Sequence, residues 1–196
     1  MKYFIGGSPC AGKSTICDLL AARHGLQPYH CDDHYDAHLE KAKPDSILSQ
    51  FRDMTWLEAF TGRSLETMIR DELEANGELG VFALEDLQQM DSPVIAEGMA
   101  FMPEILVKLE PRAKAVYLIP TESFQRQHYA KREWAHGLLA STGDPKAVFE
   151  KWMARDAANA RTIADQARAF KYPVFEVNGA LDATEVLGWV EAQLLL

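Results

Sequence analysis

Gly7-Ser8-Pro9-Cys10-Ala11-Gly12-Lys13-Ser14, followed by Thr15, has the spelling G-x-x-x-x-G-K-[ST] of a phosphate-binding loop, or P-loop. The chemistry accounts for the spelling. A triphosphate is densely negative, and a tightly bent run of backbone N–H groups can cradle it. Gly7 and Gly12 allow the bend, because glycine reaches φ > 0 without steric cost. Lys13 has the reach for the β- and γ-phosphates, and the Ser14 hydroxyl can ligate Mg²⁺. A helix starting here turns the positive end of its dipole toward the anion. Gly7 to Thr15 are therefore the expected ATP-phosphate site.

The flanks supply the setting this motif requires. Tyr3 to Gly6 reads as a buried strand, and Lys13 to His24 carries apolar residues at helical spacing, closed by Gly25. Further along, strands are expected at Gln27 to Cys31, Val94 to Ala96, Ala113 to Ile119 and Pro173 to Val177. Between the second and third, residues 36–90 read as mostly helical and polar, interrupted by Pro44. One helix is expected from Ser64 to Ala75, stopping at Asn76-Gly77, and another from Val81 to Gln89. Thr121 is a good N-cap for a long helix carrying Arg126, His128, Lys131 and Arg132. Asp144-Pro145 reads as the start of a helix reaching Phe170, and Asp182 with Glu185 as a capping-box pair opening the last one. Alternating strands and helices point to an α/β fold: a five-stranded, mostly parallel sheet with helices on both faces. The chain reads as one domain, residues 1–196, with a helical substrate-side insert at about 36–90 and a lid at about 121–142.

Composition narrows the function classes. A chain of 196 residues with 47% hydrophobic residues can bury an ordinary core. A formal net charge of −9 argues against nucleic acid or an anionic membrane as the main partner. No apolar run reaches membrane-spanning length. The first strand starts too early to leave room for a signal peptide. The three cysteines, Cys10, Cys17 and Cys31, lack metal-ligand spacing and read as reduced thiols. These features point to the cytoplasm; monomer and homodimer both stay open.

Phosphoryl transfer asks for a phosphate cradle, a metal, a group that orients or deprotonates the acceptor, and cations for the transition state. Ligands of open α/β sheets bind at the carboxyl ends of the strands. Strand one ends in the P-loop, strand two in Asp32-Asp33-His34-Tyr35, and strand three in Glu97-Gly98, so these groups converge on one crevice. Asp32 is the expected base for a substrate hydroxyl. Asp33 and Glu97 are expected to hold Mg²⁺ or substrate, with His34 and Gly98 beside them. Gly98 would let a ligand approach the backbone. The alternatives are helix capping for the aspartates and a salt bridge for Glu97. Arg126 and Arg132 stand in a locally basic segment of an acidic chain and are expected to clamp phosphates. Being six residues apart, they serve different phosphates, or only one of them matters. Arg52, Arg63 and Arg70 lie in the insert, and Arg52 is the candidate among them for an anionic acceptor.

On these residues the chain resembles the small P-loop kinase group, which includes shikimate kinase, gluconate kinase, chloramphenicol phosphotransferase, adenylate kinase and the kinase domain of polynucleotide kinase. The resemblance implies that Asp32 faces the acceptor hydroxyl, that Glu97-Gly98 takes the place of an Asp-Gly pair, and that Arg126 to Arg132 belongs to the lid. It also implies that Val177-Asn178-Gly179-Ala180 is the adenine-side loop, with Asn178 and Gly179 against the nucleotide. There are departures. His34 and Tyr35 replace the arginine after the acidic pair of polynucleotide kinase, and Glu97-Gly98-Met99 replaces the Gly-Gly-Gly of shikimate kinase. The insert matches none of the substrate domains closely. The expectation is an ATP- and Mg²⁺-dependent kinase acting on a hydroxyl of a small cytosolic metabolite. The alternatives are a nucleotide or nucleoside monophosphate kinase, or a non-enzymatic nucleotide-dependent regulator. The Asn-Lys-x-Asp stretch of ordinary GTPases does not occur.

Overall fold

In the computed structural model, which describes residues 1–91 and 93–196, β1 (Lys2–Gly7) runs through the P-loop into α1 (Lys13–His24). Gly25 closes α1 in the left-handed conformation, as its position predicts. β2 (Gln27–His30) passes into a 3₁₀ turn at Cys31–His34. The insert follows as α2 (Tyr35–Glu40), α3 (Ile47–Asp53), α4 (Trp56–Phe60) and α5 (Leu65–Gln89). β3 (Val94–Glu97), α6 (Pro103–Leu106) and β4 (Lys114–Pro120) lead to α7 (Glu122–Tyr129) and α8 (Glu133–Ala140). α9 (Pro145–Ala169), β5 (Val174–Val177) and α10 (Ala183–Leu194) complete the chain. Thr121 and Asp144 accept the expected capping hydrogen bonds, and Asp182 with Glu185 forms a full capping box.

The five strands lie in the order β2-β3-β1-β4-β5. Every pairing is parallel, so "mostly parallel" becomes wholly parallel among the described residues. β1 sits in the middle, which puts the P-loop at the centre of the sheet's carboxyl edge. Side chains alternate between two cores. Phe4, Ala96, Tyr117 and Ile119 face α5 and α9, and Tyr3, Ile5, Ile95, Val116 and Leu118 face α1 and α10. Burial on both faces explains why the central strands read as continuous apolar runs.

Two helix boundaries differ from the sequence reading. α5 runs unbroken for 25 residues through Asn76-Gly77. Asn76 Nδ2 donates to the Glu72 carbonyl of its own helix at 2.8 Å, so the side chain works within the turn instead of ending it. A buried stripe at Met68, Ala75, Leu79, Ala83 and Leu87 outweighs a glycine cost of about 1 kcal/mol. The expected long helix after Thr121 instead stops at Tyr129 and restarts at Glu133. Residues five apart on an α-helix point about 140° away from each other. The break lets both Tyr129 and Trp134 reach Trp152, at ring separations of 4.8 and 5.7 Å. Tyr129 belongs to a third cluster with Phe60, Met68, Leu139, Val148 and Trp152, and Trp134 touches it through Trp152, so α7 and α8 are fastened to α4, α5 and α9.

Candidate active site

The P-loop takes its shape from β4 as well as from its own spelling. Gly7 has φ +129°, and a Cβ there would lie 2.0 Å from the Leu118 carbonyl oxygen, so no other residue fits. Gly12 caps α1 in the left-handed conformation without a side-chain hydrogen bond, which leaves the first-turn N–H groups for an anion. Lys13 Nζ lies back across the loop and donates to the Ser8 carbonyl at 3.0 Å. Gln125 of α7, almost fully buried, donates to the Pro9 carbonyl at 3.0 Å and braces the loop from α7. Cys10 packs against the aromatic cluster, with φ +66°. Burial raises the Cys10 thiol pKa against the opposing pull of Arg132, and burial pushes Cys17 up to about 12. Both are protonated at neutral pH and act as packing groups, not nucleophiles.

Strand register delivers the carboxylates. Ile5, Glu97 and His30 stand side by side across β1, β3 and β2. Glu97 is 3% exposed, and its Oε1 accepts from Ser14 Oγ at 2.9 Å and pairs with His30 Nδ1 at 3.0 Å. Burial disfavours a charged His30, but Glu97, helped by Asp18 and Asp33, outweighs it and raises the pKa above the ordinary histidine value. Gly98 departs from its expected reason. A Cβ there would sit 2.6 Å from the Cys31 Cβ and Sγ. What approaches its backbone in this structure is the 3₁₀ turn carrying Asp32. The segments on either side of that turn are tied to α5: Asp86 accepts from Tyr29 Oη, Lys41 Nζ and His38 Nε2.

One cleft of about 340 Å³ brings these parts together. Pro9 to Thr15 and Arg132 form its donor side. Glu97 lies at the junction, and Asp32, Tyr35, Glu72, Asn76, Leu79 and Met99 form the other side. Ser14 and Glu97, both expected at a metal, are in contact. Among the described residues no three or more His, Cys, Asp and Glu cluster as a metal cage. A serine hydroxyl with a nearby carboxylate nevertheless fits Mg²⁺ bound mainly through nucleotide phosphates and water.

Other expected residues lie outside the cleft lining. Asp33 is exposed on the His30 side. His34 stacks on Tyr29 at 4.5 Å. Arg52 is bound to Asp53, while Arg63 and Arg70 both engage Asp71. Arg126 pairs with Glu122 and with Glu150 of α9. Arg132, in contrast, stands over the cleft with its guanidinium 5.1 Å from the Tyr129 ring and 5.7 Å from Trp134. Asn178 Oδ1 closes its own turn onto the Ala180 N–H, and Gly179 lies against Phe124, itself stacked on His128. Reading residue types alone missed Gln125, Glu72, Asn76, Tyr35 and Met99. The spacing of Glu72, Asn76 and Leu79 signals one helix face, but it is visible only if α5 runs through Asn76-Gly77.

Neither a protein-family model nor a curated protein sequence matches this chain. Solved structures do match. Shikimate kinase from Bacteroides thetaiotaomicron is similar over 100% of this chain and 99% of its own, at 13% identity and a TM-score of 0.60. Shikimate kinase from Acinetobacter baumannii in complex with shikimate is similar over 99% and 92%, at 18% identity and 0.55. Deoxyadenosine kinase from M. mycoides with bound dATP is similar over 100% of both chains, at 13% identity and 0.53. With its wholly parallel sheet and central P-loop, the chain has the fold of the small P-loop kinases.

Proposed function

We propose that this protein is an ATP-dependent kinase that transfers the γ-phosphoryl group to a hydroxyl of a small cytoplasmic metabolite. The observation that carries this reading is the shared cleft, in which the P-loop and the Ser14–Glu97 pair face Asp32. Lys13 and the loop N–H groups bind the triphosphate, and the Asn178-Gly179 loop beside Phe124 receives the base. Ser14 and Glu97 are the residues that would hold Mg²⁺, which supplies charge neutralisation at the phosphates when bound. Asp32 takes the proton of the acceptor hydroxyl as its oxygen bonds to the γ-phosphorus and the bond to the ADP oxygen breaks. Arg132 stabilises the charge spread over the transferring oxygens. Asp33, exposed and outside the cleft lining, adds negative charge near His30. Among the described residues no helix is long and apolar enough to cross a membrane.

The test is acceptor-dependent ADP release across a panel of small alcohols, sugars and nucleosides. At least one hydroxyl compound should stimulate release in the wild type, and Lys13→Ala should abolish the stimulation without changing the thermal melt. Stimulation within a few-fold of wild type in Lys13→Ala would sink the assignment of the loop.

A further inference from the structure

The side of the cleft opposite the P-loop has a composition of its own. Its six residues are Asp32, Tyr35, Glu72, Asn76, Leu79 and Met99. Among the described residues, the cations lining the cleft are Lys13 and Arg132, both on the nucleotide side. The arginines nearest in sequence to the acceptor side are already engaged: Arg52 with Asp53, and Arg63 and Arg70 with Asp71. Arg155 reaches Glu72 at 3.1 Å, but it is shared with Asp156 at 2.7 Å, so one cation serves two carboxylates.

Two of the polar groups on the acceptor side, Asp32 and Glu72, are carboxylates, and acceptors outweigh donors there. Asn76 is 8% exposed and lines the cleft. One N–H of its amide donates to the Glu72 carbonyl, which leaves Oδ1 as an acceptor and the second N–H as a donor for a ligand. Glu72 uses Oε2 on Arg155 and keeps Oε1. Asp32 adds a third acceptor, and Tyr35 contributes a hydroxyl. An acceptor molecule bearing a carboxylate or phosphate would meet the like charge of Asp32 and Glu72, while the lining cations among the described residues, Lys13 and Arg132, stand on the P-loop side. A molecule offering O–H and N⁺–H groups would pair with all three.

We infer that the phosphoryl acceptor is an alcohol that carries no negative charge and is rich in hydrogen-bond donors, an amino alcohol or amino sugar rather than a hydroxy acid or a nucleotide. This rests on the kinase reading above and deepens it.

The test works on a mixture and does not require the substrate to be named in advance. A deproteinised metabolite extract of the expressing cells is divided at neutral pH into pools that bind a cation exchanger, bind an anion exchanger, or bind neither. Each pool is incubated with the enzyme, Mg²⁺ and γ-labelled ATP, alongside the matched compounds glucosamine, glucose and gluconate. Label should enter compounds from the cation-exchanger pool, with weaker labelling from the unbound pool. Glucosamine should exceed gluconate at least ten-fold in kcat/KM. Label drawn only from the anion-exchanger pool would overturn the inference and leave the kinase reading standing. No label from any pool, with nucleotide binding intact in wild type and lost in Lys13→Ala, would remove the kinase reading and this inference with it. Glu72→Gln removes one negative charge from the acceptor side and leaves Arg155 paired with Asp156, so the glucosamine preference should fall several-fold. An unchanged preference in the folded variant would contradict the role given to Glu72.

Discussion

Arg126 and Arg132 are indistinguishable by residue type, and the sequence leaves open which of them matters. Geometry separates them. Arg126 is held by two exposed glutamates, Glu122 and Glu150, in ion pairs of a kind that contribute little. Arg132 is an α8 N-cap residue held over the cleft by two aromatic rings. Its placement depends on the break after Tyr129, which no local signal announces, because its cause is the distant Trp152. Arg132→Ala should lower kcat about 10²–10³-fold, the usual loss on removing one transition-state charge donor. Arg126→Ala should stay within a few-fold of wild type. Steady-state kinetics of the two variants decide the matter, and the reverse ranking would move the clamp to Arg126. The thiols follow the same logic of surroundings over type, since burial raises the Cys10 pKa inside the loop.

Among the elements, the junction between β3 and the 3₁₀ turn after β2 sets the active-site geometry. Register aligns His30 with Glu97, and Gly98 lets Cys31 close against the end of β3. Gly98→Ala would force the turn away, at about 1–3 kcal/mol for overpacking. In a chain of this size that corresponds to a fall in Tm on the order of 2–12 °C. Turnover should fall further than ATP affinity, because the displaced residue is Asp32 and not the P-loop. Thermal melts with nucleotide-binding titrations check this; a Tm and kcat equal to wild type would show that the turn is not held by this contact. Strands and helix starts were legible because their signals are local: apolar runs, Thr121, Asp144 and Asp182. The continuity of α5 was not, because Asn76-Gly77 is overruled by packing along the helix's buried face. With that helix split in two, the Glu72–Asn76 face of the cleft disappears from view.

On the scale of the whole molecule, a chain of net charge −9 places Lys13, the start of α1 and Arg132 in the lining of one cleft at the sheet's carboxyl edge. The donor half of the cleft was legible because phosphate binding depends on backbone shape, which a short motif encodes. The opposite half is assembled from the 3₁₀ turn after β2, α2, α5 and the loop after β3, residues far apart in sequence, and only the folded chain brings them to one surface. The central claim is that this surface presents a hydroxyl to the γ-phosphoryl group. A hydroxyl must lose its proton during transfer, whereas a phosphate acceptor is already ionised. Asp32→Asn preserves size and removes the charge, so the most direct measurement is its kcat with an alcohol acceptor over a range of Mg²⁺ concentrations. The expected result is a fall on the order of 10²–10⁴ that added Mg²⁺ does not rescue, with ATP affinity little changed. Near-normal turnover, or full recovery at high Mg²⁺, would contradict Asp32 as the base.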